Sequence, residues 1–440
     1  MDLYSRLNPS SKIGNTSYHL VQLTKDLLEE LDSKKGQPAT PTPTPTPTPA
    51  VPSEHDRLLR KYDVKASENY QFKSIDELAT PYLTTPSATY KIRQQNHSNC
   101  VMLLHNNVNF LNFDNYLILE RQNTHQLRQM KLSFKDVPIK ELNSIADIKQ
   151  LHSDNEDDHD CLTVQQLNKI YASSKKLLEN TPISISEFDT LILQSGYVPH
   201  YNSLAKIHTN LETMILNLLL SCILEVAEDI NAELLPAQAA DVLRRTYFKI
   251  LEKFRLEKNH LILRIVTNVF LRYVQPSSNA AAVAELPPLD EADQYVAYSL
   301  IATGGYLLLH NKIIRFLTMT ILEKEKTILL DDLLIQIRLN LPVNYLPSFE
   351  ISEILSGFSY TQKLDNGQLE IHHLTVDQLS AYKTPQERFS RLFGLKSQWT
   401  LEELQPFVAP LNAKGIKIDK FCLKYCRVKK TKNRTVLMRR

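Results

Sequence analysis

From Leu329 to Leu374 the chain reads helix, helix, strand, turn, strand, and the turn is Asp365-Asn366-Gly367. No other punctuation in the sequence constrains the fold as tightly. Asn and Gly both tolerate positive φ, so the flanking runs SYTQKL and QLEIHHL are read as the two arms of a hairpin. Two helices followed by a hairpin is the order of a winged helix. The last segment, 384–440, repeats it. Pro385 occupies the first position of a helix, where its missing N–H costs nothing, and Gly394 weakens or ends that helix. Thr400 followed three residues later by Glu403 reads as a capping box. Asp419 starts a third helix expected to run to Arg427, and Val428–Arg439 folds back around Lys432-Asn433 as a second wing.

Upstream, helical periodicity begins after Leu162. The expected fold class is α+β, a β-barrel-like N-terminal domain followed by three tandem winged helices at 162–236, 237–380 and 384–440. The stretch 275–293 is read as a disordered loop within the second. Residues 1–150 form the β-rich domain, with a short strand at Tyr18–Leu23, a helix capped by Thr24, and short strand-like runs from YQFKSI to LRQMKLSF between Tyr70 and Phe134. Five successive Thr-Pro pairs from Thr40 to Pro49 make 33–53 a stiff polyproline-type spacer inside that domain. Exposed strand edges need a cap, so this domain is expected to share its sheet with a partner. The acidic run HSDNEDDHD marks a linker at 151–161; it has no EF-hand spacing and is read as solvated rather than metal-binding.

The totals exclude several classes. Nine glycines in 440 residues, and no Gly-Lys pair, leave no phosphate-binding loop. No GxGxxG, GxSxG or HExxH occurs, so neither an enzyme nor a cofactor is expected. The opening MDLYSRLNPSSK lacks the apolar run of a signal peptide, and the most apolar stretch, Met214–Val226, carries Asn217 and Glu225, so a buried helix rather than a membrane span is expected. Five cysteines without a CxxC pair point to reduced thiols. Cys422 and Cys426 are read as core packing rather than half of a zinc site, Trp399 as a core anchor, and His372-His373 as neighbours on opposite faces of a strand.

Charge is concentrated at one end. From Asn412 onward there are eleven cations, Lys414, Lys417, Lys420, Lys424, Arg427, Lys429, Lys430, Lys432, Arg434, Arg439 and Arg440, against the single acid Asp419. The chain as a whole is +2, so the remainder is acidic. Lys420, Lys424 and Arg427 recur at i, i+4 and i+7 and would share one face of the expected helix. Lys and Arg without an ordered set of Asn or Gln base readers favour phosphate contact over sequence reading. DNA binding at these eleven positions is therefore expected. The alternatives are a nuclear-targeting signal or a nuclear protein-interaction scaffold that does not touch DNA.

The segment 385–430, PQERFSRLFGLKSQWTLEELQPFVAPLNAKGIKIDKFCLKYCRVKK, resembles the C-terminal signature of the Dcc family, defective in sister chromatid cohesion. YHLVQLTKDLLEEL (18–31), FKSIDE (72–77), HSNCVMLL (97–104) and LLENTP (177–182) fit the same family in order. The resemblance implies a non-ATPase subunit of the alternative, cohesion-type replication factor C clamp loader, acting in the nucleus. It implies a β-rich half that joins a small chromosome-transmission-fidelity subunit and the C-terminal tail of the large subunit. It implies three winged helices, the last on single- and double-stranded DNA, docked on the catalytic subunit of DNA polymerase epsilon. Loading or unloading of the sliding clamp, PCNA, would follow indirectly.

Overall fold

The computed structural model describes residues 4–5, 12–13, 16–17, 19–29, 70–74, 80–105, 108–122, 139–151, 174–200, 203–227, 229–258, 260–277, 305–412, 417–430 and 435–440. The Thr-Pro spacer, most of the acidic linker, LRQMKLSF and Thr163 lie outside them. The protein mixes helices with several small sheets and divides into two compact units, Met1–Leu142 with Ala146–His208, and Asn143–Ile145 with Thr209–Arg440.

The first unit is organised on one long hairpin, Thr89–His105 against Val108–Arg121. The sequence suggested separate strands for SATYKIRQ and CVMLLH; the structure runs them together, with register shifts between Asn96 and Val101 and between Leu103 and Leu104. The polar Asn96–Asn99 stretch is absorbed as a bulge instead of ending the strand. Tyr82–Thr84 and Gln71–Lys73 extend the sheet on one side; Tyr4–Ser5 and Val21–Gln22 pair in parallel with the other. Among the described residues the pairings form an open path, which does not by itself make the expected barrel-like domain. Thr24 caps its helix as expected, accepting from Leu27 N at 3.4 Å. Leu27, Leu83, Tyr90, Ile92 and Leu119 make the core of this sheet, while Phe72, Val101 and Met102 stand exposed.

The same sheet is bonded to helices expected to lie in another domain. Thr89 donates its hydroxyl to Glu187 at 2.5 Å and accepts from Ser184 N at 2.8 Å; Lys73 donates to Leu178 O at 2.7 Å. Ser184 caps the Ile185–Gln194 helix through Glu187 N. The hairpin Tyr197–His200/Ser203–Ile207 takes Lys140–Leu142 as a parallel third strand. The expected break at 151–161 therefore falls inside this unit, and the segment expected as the first winged helix, 162–236, is divided at His208. Composition marked a linker, but the pairing that joins 140–142 to 203–207 is long-range and leaves no local trace.

The second unit repeats one topology three times. The first copy runs helix Thr209–Val226, a bridge residue Leu234, helices Pro236–Phe254 and His260–Tyr273, then strands Val274–Pro276 and Tyr306–Leu308. The second runs helix His310–Glu325, strand Thr327–Leu329, helices Leu330–Leu339 and Ile351–Leu355, strands Ser359–Lys363 and Leu369–His373. The third runs helix Pro385–Leu395, strand Gln398–Thr400, helices Leu401–Val408 and Ile418–Cys422, strands Cys426–Lys430 and Thr435–Arg439. In every copy the short first strand, or the Leu234 bridge, pairs with the last strand, which pairs with the middle one. Residues 275 and 276, expected as loop, belong to the middle strand of the first copy, Val274–Pro276; 278–304 lie outside the described residues.

The helix Thr209–Val226 is long and apolar enough by composition to cross a membrane, yet Leu211, Ile215, Leu216, Leu219, Leu220, Cys222 and Ile223 are buried in this unit. Its buried Glu212 accepts from the Tyr273 hydroxyl and pairs with Arg272 at 2.8 Å, which compensates the carboxylate's burial. The Asp-Asn-Gly turn forms where expected, with a difference. Only Gly367 has positive φ, at 85°, and Gly367 N bonds Leu364 O at 2.9 Å, the geometry of a three-residue hairpin loop. Arginines pin the loops to helices: Arg315 donates to Ile354 O and Ser356 O at 2.8 and 2.7 Å, and Arg338 to Tyr345 O at 2.6 Å.

Candidate nucleic-acid interface

The third copy is built on an aromatic core. Trp399 is 1% exposed and donates its indole N–H to Leu392 O and Lys396 O at 3.1 and 3.0 Å, so it is the expected anchor. Phe389 stacks with Tyr425 at 5.2 Å and Phe421 meets Tyr425 edge-on at 5.3 Å. Leu392, Phe407, Cys422, Cys426 and Leu437 complete the core, which extends to Tyr360 and Leu374 of the second copy. Cys426 Sγ donates to Cys422 O at 3.0 Å, and burial pushes the Cys422 thiol up to about 12 and that of Cys426 up to about 11. Both are the core packing that the sequence suggested.

Thr384 and Glu387 form a full capping box around Pro385, each side chain bonding the other's backbone N–H at 3.3 Å. Gly394 lies inside that helix instead of ending it. Thr400 caps the next helix through Glu403 N at 3.2 Å, but the Glu403 carboxylate does not return to Thr400. It accepts instead from Lys396 Nζ at 2.6 Å and Thr361 N at 2.8 Å, and so bonds the third copy to the second.

The expected third helix is shorter than periodicity suggested. It covers Ile418–Cys422, after which Lys424 N and Tyr425 N bond back three residues, to Phe421 O and Cys422 O. That tightening ends the helix, and Cys426 enters the sheet opposite Arg439. Arg427 is thus a strand residue, and the stripe of Lys420, Lys424 and Arg427 on one helical face does not form. Strand pairing with 435–439 overrides helical spacing that the sequence alone could not reject.

A different cationic surface forms in its place. Cross-strand pairing aligns Gln398, Met438 and Arg427 in one row and Thr400, Val436 and Lys429 in another, both on the face opposite Trp399, Leu437 and Val428. Arg427 and Lys429 are exposed there; Lys417, Lys420 and Lys424 are exposed on the helix and turn that lead into it. Arg440 Nη1 donates to Lys424 O at 2.9 Å, which fixes the end of the last strand, with exposed Arg439, against that turn. Among the described residues no carboxylate lies within 4 Å of Lys417, Lys420, Lys424, Arg427, Lys429 or Arg439. Lys430 ends its strand, and Lys414, Lys432 and Arg434 lie outside the described residues. Sequence reasoning missed Gln398 on this face; the short strand QWT that carries it has no local signal beyond its β-prone Trp-Thr pair.

This chain matches the family described as "Sister chromatid cohesion protein Dcc1" over residues 18–408. It is also similar to "Sister chromatid cohesion protein DCC1" of Saccharomyces cerevisiae, 48% identical over 56 residues. That stretch covers 13% of this chain and only 15% of the yeast protein. The cations from Lys414 onward lie beyond the end of the family match.

Proposed function

The chain belongs to the sister chromatid cohesion protein Dcc1 family, and we propose that it acts in sister chromatid cohesion as a non-catalytic, DNA-binding subunit of an alternative replication factor C clamp loader in the nucleus. Three copies of helix, strand, helix, helix, strand, strand, with the first strand beside the last, support reading the second unit as three tandem winged helices. In this reading they begin at Thr209, His310 and Pro385. The observation that carries DNA binding is the set of exposed cations without acidic partners on the third copy. Winged helices lay a helix and a wing along a duplex; Lys420 is on that helix, Arg427 and Lys429 are on the wing strand, and Lys424 is in the turn between them. The open sheet of the first unit, with Phe72, Val101 and Met102 exposed, supports assembly with the small chromosome-transmission-fidelity subunit and the tail of the large subunit. Docking on the polymerase epsilon catalytic subunit and loading or unloading of the sliding clamp complete the reading, with no cofactor, metal or membrane involved.

The test is charge reversal. If Lys420, Lys424, Arg427 and Lys429 each meet one phosphate, the duplex salt slope is about −3.6, so a fourfold rise in salt weakens binding about 150-fold. Replacing all four by Glu should flatten that slope and abolish measurable anisotropy change with single- and double-stranded oligonucleotides, while co-purification with partner subunits persists. An unchanged slope overturns the assignment. DNA binding that is absent even in the wild type would favour a winged-helix scaffold that binds proteins alone.

A further inference from the structure

We propose that the second copy in the C-terminal unit carries a docking groove for an extended, basic segment of a partner protein. Among the described residues the strand Thr327–Leu329 lies at the outer edge of its sheet and pairs on one side, with Leu369–His373. His373 N donates to Lys326 O at 2.8 Å, and antiparallel alternation then sets Ile328 against Ile371 as the next bonded pair. The main-chain groups of Thr327 accordingly point away from the sheet. A groove of about 530 Å³ is lined by this strand, by Glu325 before it, by Asp332, Ile335 and Gln336 of the helix Leu330–Leu339, and by Glu370 of the neighbouring strand. Ile335 and Leu339, one turn apart on the helix, are 57% and 78% exposed, and Val343 and Leu346 beyond it are 82% and 68% exposed.

The chemistry selects the occupant. Three carboxylates repel nucleic acid, so this face is electrostatically opposite to the cationic sheet of the third copy. Glu370 is held by His372 at 2.9 Å and Glu325 has only the exposed Lys324 at 3.8 Å, while Asp332 has no cationic partner among the described residues. An open sheet edge offers main-chain bonds to an extended chain, the exposed aliphatic residues offer an anchor site, and the carboxylates select Lys or Arg beside it. A segment with basic side chains flanking an aliphatic or aromatic anchor satisfies all three. This inference is independent of the DNA assignment.

The experiment uses the full chain to pan a random peptide-display library, followed by anisotropy titration of the selected peptides. Selected sequences should carry Lys or Arg on both sides of an apolar residue. Asp332→Lys with Glu370→Lys should weaken them about tenfold or more, as should Ile335→Ser with Leu339→Ser. Asp332, Ile335 and Leu339 are exposed and Glu370 is half-buried, and the fluorescence of buried Trp399, which packs on Tyr360 of the second copy, verifies that the variants fold. No selected peptide, acidic or neutral selections, or affinity untouched by both double variants overturns the proposal. Competition by duplex DNA at this groove, or a doubled mass in solution that Ile335→Ser abolishes, also overturns it by assigning the face to nucleic acid or to a second copy.

Discussion

Arg388 is the residue on which the third copy should depend most for a reason unrelated to charge pairing. It is 5% exposed, and its guanidinium donates to Leu379 O at 3.0 Å, Phe407 O at 3.2 Å and Tyr382 O at 3.2 Å. Among the described residues it has no carboxylate within 4 Å, and burial pushes its pKa down. One planar, five-donor group thus ties the turn before Pro385 to the helix Leu401–Val408. Arg388→Met keeps the aliphatic stem and removes the donors. Leu379 O keeps the Tyr382 N–H at 3.0 Å, so the unmet cost falls on the buried Phe407 carbonyl, for a loss of about 1–3 kcal/mol. Arg388→Lys, with one compact donor group that cannot reach divergent carbonyls, should fall between Met and the wild type. Guanidinium titration followed by Trp399 emission reads this directly, because the single tryptophan is buried in the same core and bonded to Leu392 O, one helical turn from Arg388. A Met variant within about 0.5 kcal/mol of the wild type would refute the reasoning, for it would mean that burying the charge costs as much as its hydrogen bonds return.

Two further outcomes follow from the same region. Glu403→Ala leaves Thr361 N and the partly buried Lys396 ammonium without their acceptor; it should cost about 2–4 kcal/mol and separate the unfolding of the second and third copies, seen as faster hydrogen exchange across Ser359–Lys363. The Cys422 and Cys426 thiols are raised above their ordinary 9.0 by burial, so the stability they contribute is fully present below 9.0 and declines as pH climbs toward their native values of about 12 and 11. Denaturation midpoints should fall in that range, less so in Cys422→Ala, and iodoacetamide should leave both thiols unmodified at neutral pH until the chain unfolds.

What the sequence made legible was local. Asp365-Asn366-Gly367, Pro385 at a helix start, and hydrophobic spacing around Trp399 each act over a few residues, and each formed close to where it was expected. The first of the three copies was hidden because its hairpin is split between Pro276 and Tyr306, and because its first strand is the single bridge residue Leu234. No turn signal survives across such an interval. Thr327–Leu329 and Gln398–Thr400 are too short for alternation to register, yet each closes a sheet. Arg427 shows the same limit in the candidate site: i, i+4, i+7 spacing is compatible with a helix, and only the partner strand at Thr435–Arg439 decides otherwise.

The division of charge among copies of one topology carries a physical consequence. With a net charge of +2, the chain cannot attract a polyanion through its overall field. The eleven cations after Asn412 leave an acidic remainder, which repels phosphate from the body of the protein. At physiological salt the Debye length is about 8 Å, so each charged surface acts mainly on what comes within a side chain's reach. In the proposed reading the basic sheet of the third copy is the surface that meets DNA, while the acidic groove of the second is left to a partner of opposite charge. Moving four positive charges from Lys420, Lys424, Arg427 and Lys429 to the exposed face of the helix Pro236–Phe254 would keep net charge constant, and it should still abolish productive DNA binding.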